Sequence, residues 1–329
     1  MKRIFSVLFL IILLFSFLFL SVFAAQARKE GKITYLLAGM DGAASNTDFL
    51  ALASFDKETQ TLVFLQIPRD TFISDKGESL KINQMYPRAL AGESKAQKQA
   101  AMQALVSKVE ELAGVPISGY AAISMNDFAS VIDALGGVDI NLPFPLTFGQ
   151  GSDALSLDSG VHHLNGDLAL RFVRYRKGYA MGDLGRMDVQ KLFLAGLMQK
   201  CSQPLTAEAC AALASRLYKN VLTDKSLPAV LADVMQWFAC AKTANVCFAT
   251  FPGAPYKGAN GAWYYVINQA GAEELLSRFF SEKNTFDANK AFFDPKDTQM
   301  AQIYSAPAYP VRVYTAQELK KLTIIPKNE

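Results

Sequence analysis

Between residues 163 and 190 the chain reads HLNGDLALRFVRYRKGYAMGDLGRMDVQ, setting Arg171, Arg174, Arg176 and Arg186 around Asp183 and Asp188. Guanidinium groups present planar donor forks that match phosphate oxygens, and they stay charged at any physiological pH. An arginine cluster that encloses acids suits a polyanion, most simply a phosphate or pyrophosphate. The alternative for such a run is a solvated, salt-bridged helix face. The formal net charge of the chain is only +3. The cationic character is therefore local, unlike the broad basic face of a nucleic-acid binder.

Further polar motifs stand outside that run. Gly39-Met40-Asp41-Gly42 and Asn46-Thr47-Asp48 put two carboxylates on the loop after a first strand, where α/β sheets collect ligands. Ile67-Pro68-Arg69-Asp70-Thr71 ends a third strand with another arginine, and Lys81-Ile82-Asn83 follows a polar loop. Each has a plainer reading: Asp41 and Asp48 satisfying loop backbone donors, Asp70 capping a turn, Lys81 solvated, Asp188 on a helix surface. No GxGxxG follows a strand, and there is no Walker loop, HExxH or GxSxG. The two histidines, His162 and His163, are adjacent and read as a turn before a helix cap, not as part of a triad.

Several elements must position these residues. Thr34 to Ala38, Phe49 to Ser54 and Thr61 to Ile67 read as strands. A helix follows from about Glu93 to Ala113, closed by Gly114. Tyr120 to Ser124 is the next strand, and a helix from Asn126 carries Phe128, Val131, Ile132 and Leu135 on one face before Gly136-Gly137. Val138 to Asn141 resumes as strand. Helices are expected from Asn165, from Gly185 to Lys200, and at about 206–219 and 226–240. Val246 to Phe251, Trp263 to Ile267 and a helix at Ala272 to Phe280 complete the pattern. Strands alternating with helices predict an α/β layered sheet.

With 51% hydrophobic and 11% aromatic residues among 329, the chain has ample material for a core and is not a disordered one. Part of its apolar character is an unbroken run from Ile4 to Ala25 after Lys2-Arg3. About 22 helical residues span a hydrocarbon core of roughly 30 Å. Residues 1–30 therefore read as a membrane anchor with the N-terminus in the cytoplasm. A signal peptide cleaved near Ala25-Gln26-Ala27 is the competing view. Either one exports the remainder.

All four cysteines, Cys201, Cys210, Cys240 and Cys247, fall in the C-terminal half. Sequence proximity favours Cys201 with Cys210 and Cys240 with Cys247, each closing a short loop in an oxidising compartment. A zinc site is disfavoured by the lack of a CxxC spacing and by distant histidines. Residues 281–329 have weaker periodicity and read as an appended tail.

Taken in order, these motifs resemble the LytR-CpsA-Psr family of cell-envelope glycopolymer ligases. The matches are the acidic loop at Asp41 and Asp48, IPRDT at 67–71, KIN at 81–83, DALGGVDI at 133–140, HLNGDLAL at 163–170, VRYR at 173–176, and GDLGR at 182–186 with Gln190. The apolar N-terminus and WYYVINQAGAEELL at 263–276 fit as well. There are two departures. The family usually has a basic residue just before the second acid of the first loop, where this chain has Asn46-Thr47-Asp48. It also usually has an arginine before the glutamine, where Val189 stands. Both are expected to remove positive charge near the ligand. The cysteine-bearing insert at about 201–247 points to a periplasm and a Gram-negative envelope.

The resemblance implies a three-layer α/β/α domain over residues 31–280, with a mixed central sheet, preceded by one transmembrane helix. It implies a phosphotransferase, single-pass in the inner membrane with its catalytic domain outside. The enzyme would move a glycan phosphate from a polyprenyl-pyrophosphate donor to an acceptor such as peptidoglycan, the lipid tail entering an apolar tunnel. Arg69, Arg174, Arg176, Arg186, Gln190, Lys81 and Asn83 would bind the pyrophosphate. Asp41 and Asp48 would hold Mg²⁺, which takes carboxylate and phosphate oxygens. Asp183, with Arg174 and Arg176, would be catalytic, as an orienter of arginine or as base for the acceptor hydroxyl. A lipid-binding module without turnover and a lipid pyrophosphatase are the alternatives.

Overall fold

The computed structural model describes residues 32–41, 46–149, 154–204, 206–280 and 292–322. The apolar run expected to span a membrane lies outside them. Among the described residues no helix is long and apolar enough to cross one.

The first half of the chain builds the sheet and one of its covers. Strands β1 (Lys32–Met40), β2 (Thr47–Asp56) and β3 (Thr61–Gln66) form an antiparallel meander. Two short strands, β4 (Phe72–Asp75) and β5 (Glu78–Lys81), make a separate hairpin, followed by helix α1 (Met85–Ala89). Helix α2 (Lys95–Ala113) starts at a capping box. Ser94 accepts from the Gln97 N–H while the Gln97 side chain accepts from the Ser94 N–H, satisfying two otherwise orphaned donors. It stops at Gly114, whose φ of 63° is a left-handed C-cap. Strand β6 (Gly119–Ser124) pairs parallel to β1, and α3 (Met125–Ala134) follows directly.

The second half adds the other cover. Strands β7 (Val138–Leu142), β8 (Leu146–Phe148), β9 (Leu155–Leu157) and β10 (Gly160–Leu164) form two ribbons, β7 with β10 and β8 with β9. Helices α4 (Gly166–Arg174), α5 (Asp183–Cys201) and α6 (Ala207–Asn220) come next, then β11 (Val221–Thr223), α7 (Leu227–Thr243) and β12 (Asn245–Thr250). Strands β13 (Gly253–Lys257) and β14 (Trp263–Ile267) pair as a hairpin and lead into α8 (Gln269–Phe279). The last described elements are α9 (Thr298–Ser305), β15 (Val313–Thr315) and α10 (Ala316–Leu319).

The central sheet is seven-stranded and mixed, in the order β11-β6-β1-β2-β3-β12-β15. Its middle strand β2 is apolar on both sides because both faces of the sheet are covered. Leu50 and Leu52 join a core with α2 and α8, through Leu105, Val109, Leu275 and others. Ala53 and Phe55 join the opposite core with α3, α4 and α5, through Ile132, Phe172, Val189 and Phe193. Helix α5 is the buried centre of that second layer. Residues on nearly every side of it are shielded, from Gly185 through Met198, which is why its sequence shows little amphipathic periodicity.

Three expectations are corrected. Val138 to Asn141 and Trp263 to Ile267 are strands, but they sit in two-stranded ribbons rather than the central sheet. The stretch after residue 281 is not merely appended. Phe292, Met300 and Tyr304 enter the first core, Leu319 and Leu322 enter the second, and β15 extends the sheet beyond β12. All four cysteines are free thiols. Strand alternation turns Cys247 toward the α2 face, whereas Cys240 lies in the opposite core, so the sheet itself separates that pair. Cys201 packs beside the small α6–α7 cluster and is not linked to Cys210.

Candidate active site

Because β1 and β3 both run antiparallel to β2, their C-terminal ends share an edge with the start of β2. Asp41 follows β1 and Asp48 lies at the start of β2. Asp41 and Asn46 are joined by the Asp41 N–H donating to the Asn46 carbonyl (3.0 Å) and the Asn46 amide donating to Asp41 Oδ2 (3.4 Å). Arg69 sits in the turn after β3. The Thr71 N–H and hydroxyl both donate to the Pro68 carbonyl, and the Asn83 N–H donates to the Arg69 carbonyl at 3.2 Å. Helix α5 then brings Asp183 and Arg186 to the same edge. Its entry needs Gly182 at φ 56°, and Gly185 lets Tyr179 press on the helix, since a Cβ there would lie 2.6 Å from the Tyr179 Cβ.

Four residues close a ring through three side-chain contacts and one backbone carbonyl. Arg69 Nη1 is bonded to Asp48 Oδ1, and Arg69 Nε lies 3.7 Å from Asp183 Oδ1. Arg186 Nη2 lies 2.9 Å from Asp183 Oδ1 and donates to the Asp48 carbonyl at 3.1 Å. The Arg186 side chain is only 6% exposed. Burial lowers its pKa, Asp183 opposes that, and neighbouring Arg69 adds to it. At Arg69 burial also pulls downward, but Asp183 and Asp48 outweigh it and the pKa is raised. Both guanidiniums remain charged at neutral pH. Two arginines and two aspartates make the floor neutral and fixed in place.

Unpartnered polar atoms gather on the same loops. Thr47 Oγ1, Arg69 Nε, Asn83 Oδ1 and Arg186 Nε are buried without a hydrogen bond. Each such group costs on the order of 1–3 kcal/mol unless a water, ion or ligand satisfies it.

The wall of the site is α4 and the loop after it. Asn165 caps the helix by accepting from the Leu168 N–H at 2.9 Å. That placement puts Arg171 and Arg174 in the last turn, one turn apart and on one face. Together with Tyr175, Arg176 and Lys177 they border a cleft of about 760 Å³ whose floor includes Asp48, Arg69 and Arg186. Arg174 and Arg176 are exposed to solvent and hold no ion pair among the described residues. A solvated, salt-bridged helix face does not describe them.

Other expected site residues lie elsewhere. Gln190 does not line the cleft. It is buried, its Oε1 accepts from Gln66 Nε2 (3.2 Å), and its Nε2 donates to the Val173 carbonyl (3.0 Å). It ties β3 to the end of α4, just before Arg174. Lys81 pairs with Asp70 at 3.0 Å, and Asn83 braces the Arg69 turn through its backbone. Asp188 pairs with the buried Lys191 at 2.7 Å. Gln66 was not anticipated, although a glutamine ending the apolar strand TLVFLQ was its signal. Arg171, Lys177 and Asp167 were not assigned to the site, yet all three border the cleft.

Asp41 and Asp48 are the carboxylates of the first loop expected to meet a divalent cation, and Asp48 is bonded to Arg69. Among the described residues no group of three or more His, Cys, Asp or Glu side chains could hold a metal by itself. Mg²⁺ is commonly held by one or two carboxylates plus phosphate oxygens of its substrate.

The two missing basic residues also find their places. Thr47 and Val189 are both fully buried, and Val189 lies in the apolar core of the second layer. Neither residue is among those that line the cleft.

A model of the LytR-CpsA-Psr family matches residues 20–280, which is most of the chain. The chain belongs to that family. Among similar proteins is the polyisoprenyl-teichoic acid–peptidoglycan teichoic acid transferase TagU of Bacillus anthracis, 29% identical over 258 residues, covering 77% of this chain and 80% of TagU. The crystal structure of Bacillus subtilis TagV superposes with a TM-score of 0.62 at 25% identity, covering 76% of this chain and 96% of TagV. Protein gbs0355 of Streptococcus agalactiae shares the fold, with a TM-score of 0.63 at 17% identity over 77% of this chain and 87% of its own.

Proposed function

We propose that this transferase of the LytR-CpsA-Psr family moves a glycan phosphate from a polyprenyl-pyrophosphate-linked donor to an envelope acceptor such as peptidoglycan. The observation that carries the reading is the division of the cleft. Its floor is a neutral, partly buried Arg–Asp ring, and its wall presents Arg174 and Arg176, which hold no ion pair among the described residues. A pyrophosphate diester carries two negative charges, which those two arginines match.

Phosphoryl transfer asks for alignment and charge neutralisation more than for covalent help. Arg174 and Arg176 grip the pyrophosphate from the wall while Arg69 and Arg186 meet it from the floor. Asp183, lying between Arg69 and Arg186, fixes both guanidiniums, so it acts by orienting them. The acceptor hydroxyl oxygen attacks the phosphorus bound to the glycan. The bond from that phosphorus to the bridging oxygen breaks, and polyprenyl phosphate leaves with the electron pair. The hydroxyl proton passes to the departing phosphate, a group whose second pKa is near 6. Asp41 and Asp48 would hold Mg²⁺, which neutralises phosphate charge when bound. The lipid tail runs from the cleft into the apolar layer around α4 and α5.

The test is incubation of the purified protein with a lipid-pyrophosphate glycan, Mg²⁺ and peptidoglycan. Glycan covalently attached to peptidoglycan through phosphate is expected. Free phosphorylated sugar would instead make the protein a pyrophosphatase, and unchanged donor would make it a binding module.

A further inference from the structure

Helix α4 ends at Arg174, so the Val173 carbonyl lies in its last turn, where a helix has no further N–H of its own to offer. The donor comes from another element, Gln190 Nε2 on α5, at 3.0 Å. Gln190 Oε1 accepts in turn from Gln66 Nε2 (3.2 Å), and Gln66 Oε1 accepts from the Thr250 hydroxyl (3.4 Å). Each amide accepts at one end and donates at the other, so the chain of bonds runs in one direction from β12 to the end of α4. Bonds aligned head to tail polarise one another, and losing a middle member leaves buried groups unmatched on both sides.

Gln66 is the middle member. It is 1% exposed and is paired in register with Thr250 at the ends of β3 and β12, so the sheet fixes where its amide lies. Three residues on, the same strand delivers Arg69 to the floor of the cleft. At the other end of the chain, Val173 immediately precedes Arg174, and Arg174 and Arg176 stand exposed on the wall. A single buried side chain thus ties the strand that carries a floor arginine to the helix end that carries the wall arginines. A glutamine has to match both halves of its amide, so its bonds fix a spacing that an apolar residue of equal size would leave loose.

We infer that Gln66 is a positioning residue for the transfer. Acting through Gln190, it sets the spacing at which Arg69 and Arg186 on the floor and Arg174 and Arg176 on the wall meet the two phosphates. The inference rests on the proposed grip of a pyrophosphate by those arginines.

The test is a double-mutant cycle on the full chain in detergent, with titration calorimetry of a short-chain polyprenyl pyrophosphate and a thermal melt of every variant. Gln66→Met keeps the length of the side chain and removes its amide. It should weaken binding roughly 3- to 30-fold, as expected of coupled neighbours. That loss should largely disappear when Arg174→Ala is already present, because there is then no Arg174 to misplace. Merely structural damage would lower Tm and cost the same factor in both backgrounds. Thr250→Val removes the first donor of the chain and should weaken binding by about 2-fold or more, whereas Thr250→Ser, which keeps the hydroxyl, should restore it. Wild-type affinity in a folded Gln66→Met, or equal losses with and without Arg174, overturns the positioning role and leaves the pyrophosphate reading intact. Where Gln66→Met does not fold, wild-type affinity in Thr250→Val overturns it instead. Full affinity in Arg174→Ala alone overturns the pyrophosphate reading and the inference with it.

Discussion

Asp183→Asn tests whether the floor ring is a frame. The substitution keeps the size of the side chain and removes its charge. Arg186, 6% exposed, then loses its 2.9 Å partner, and Arg69 loses its contact at 3.7 Å. Arg69 keeps the Asp48 carboxylate, Arg186 keeps only the Asp48 backbone carbonyl, and the two guanidiniums repel each other. Removing one partner of a buried ion pair costs about 3–5 kcal/mol. Asp183 itself is 22% exposed, so solvent screening places the expected cost near the lower end, about 3 kcal/mol. For a chain of this size that lowers Tm by roughly 6 °C. Arg174→Ala is the contrasting variant. Its side chain is exposed and unpaired, so its melt should stay within about 0.5 kcal/mol of wild type. Its affinity for a short-chain polyprenyl pyrophosphate should fall roughly 10- to 100-fold. Differential scanning calorimetry and titration calorimetry on the same preparations measure both quantities. An Asp183→Asn variant that melts like wild type would refute the frame, and full affinity in Arg174→Ala would refute the pyrophosphate grip.

Three further outcomes are expected. Gln190→Leu should cost about 1–3 kcal/mol, because it strands Gln66 and the Val173 carbonyl in the interior, and it should weaken donor binding through the displaced end of α4; a normal melt would contradict this. At Asp233, burial raises the carboxyl pKa while the Tyr35 hydroxyl, donating at 2.8 Å, opposes the rise. A raised folded pKa means that its stabilising contribution is complete below the ordinary value of 3.8 and is lost as pH rises through the folded value. Asp233→Asn should therefore raise Tm at pH 7, with the gain shrinking as melts are repeated toward pH 4, and a constant gain would sink the assignment. Alkylation after unfolding without reductant should label all four cysteines, and a linked Cys240–Cys247 peptide in the mass spectrum would contradict the placement of those thiols on opposite faces.

Local signals carried far in this chain, and non-local ones did not. The ends of α2 and α4 were legible because Ser94, Gly114 and Asn165 act on backbone groups a few residues away. The strands β1, β2 and β3 were legible from their apolar runs. Which strand pairs with which is set by contacts far apart in sequence, so β7 and β14 read correctly as strands and wrongly as members of the central sheet. Three-residue β15 is too short for any alternation to mark it. The site behaved the same way. Arg69, Arg174, Arg176 and Arg186 could be named from motif order, but the bonds of Asp48 and Asp183 to those arginines depend on three separate loops meeting. Gln190, one turn beyond Arg186, looked like a neighbour on the ligand-facing side. Helix α5 is enclosed all round, so one turn along it reaches β3 instead.

The same enclosure decides what the two departures from the family pattern mean. As sequence, Thr47 and Val189 are lost positive charges beside a polyanion. In the fold, Val189 packs with Leu192, Phe193 and Phe172 inside the second layer, and Thr47 is fully buried at the start of β2. A guanidinium placed at Val189 would have to leave water for an apolar interior, a cost that no phosphate in the cleft offsets. The exposed Arg174 and Arg176 that border the cleft come instead from the end of α4 and its following loop. The exposed arginines of the cleft therefore stand on its outer wall rather than behind its floor.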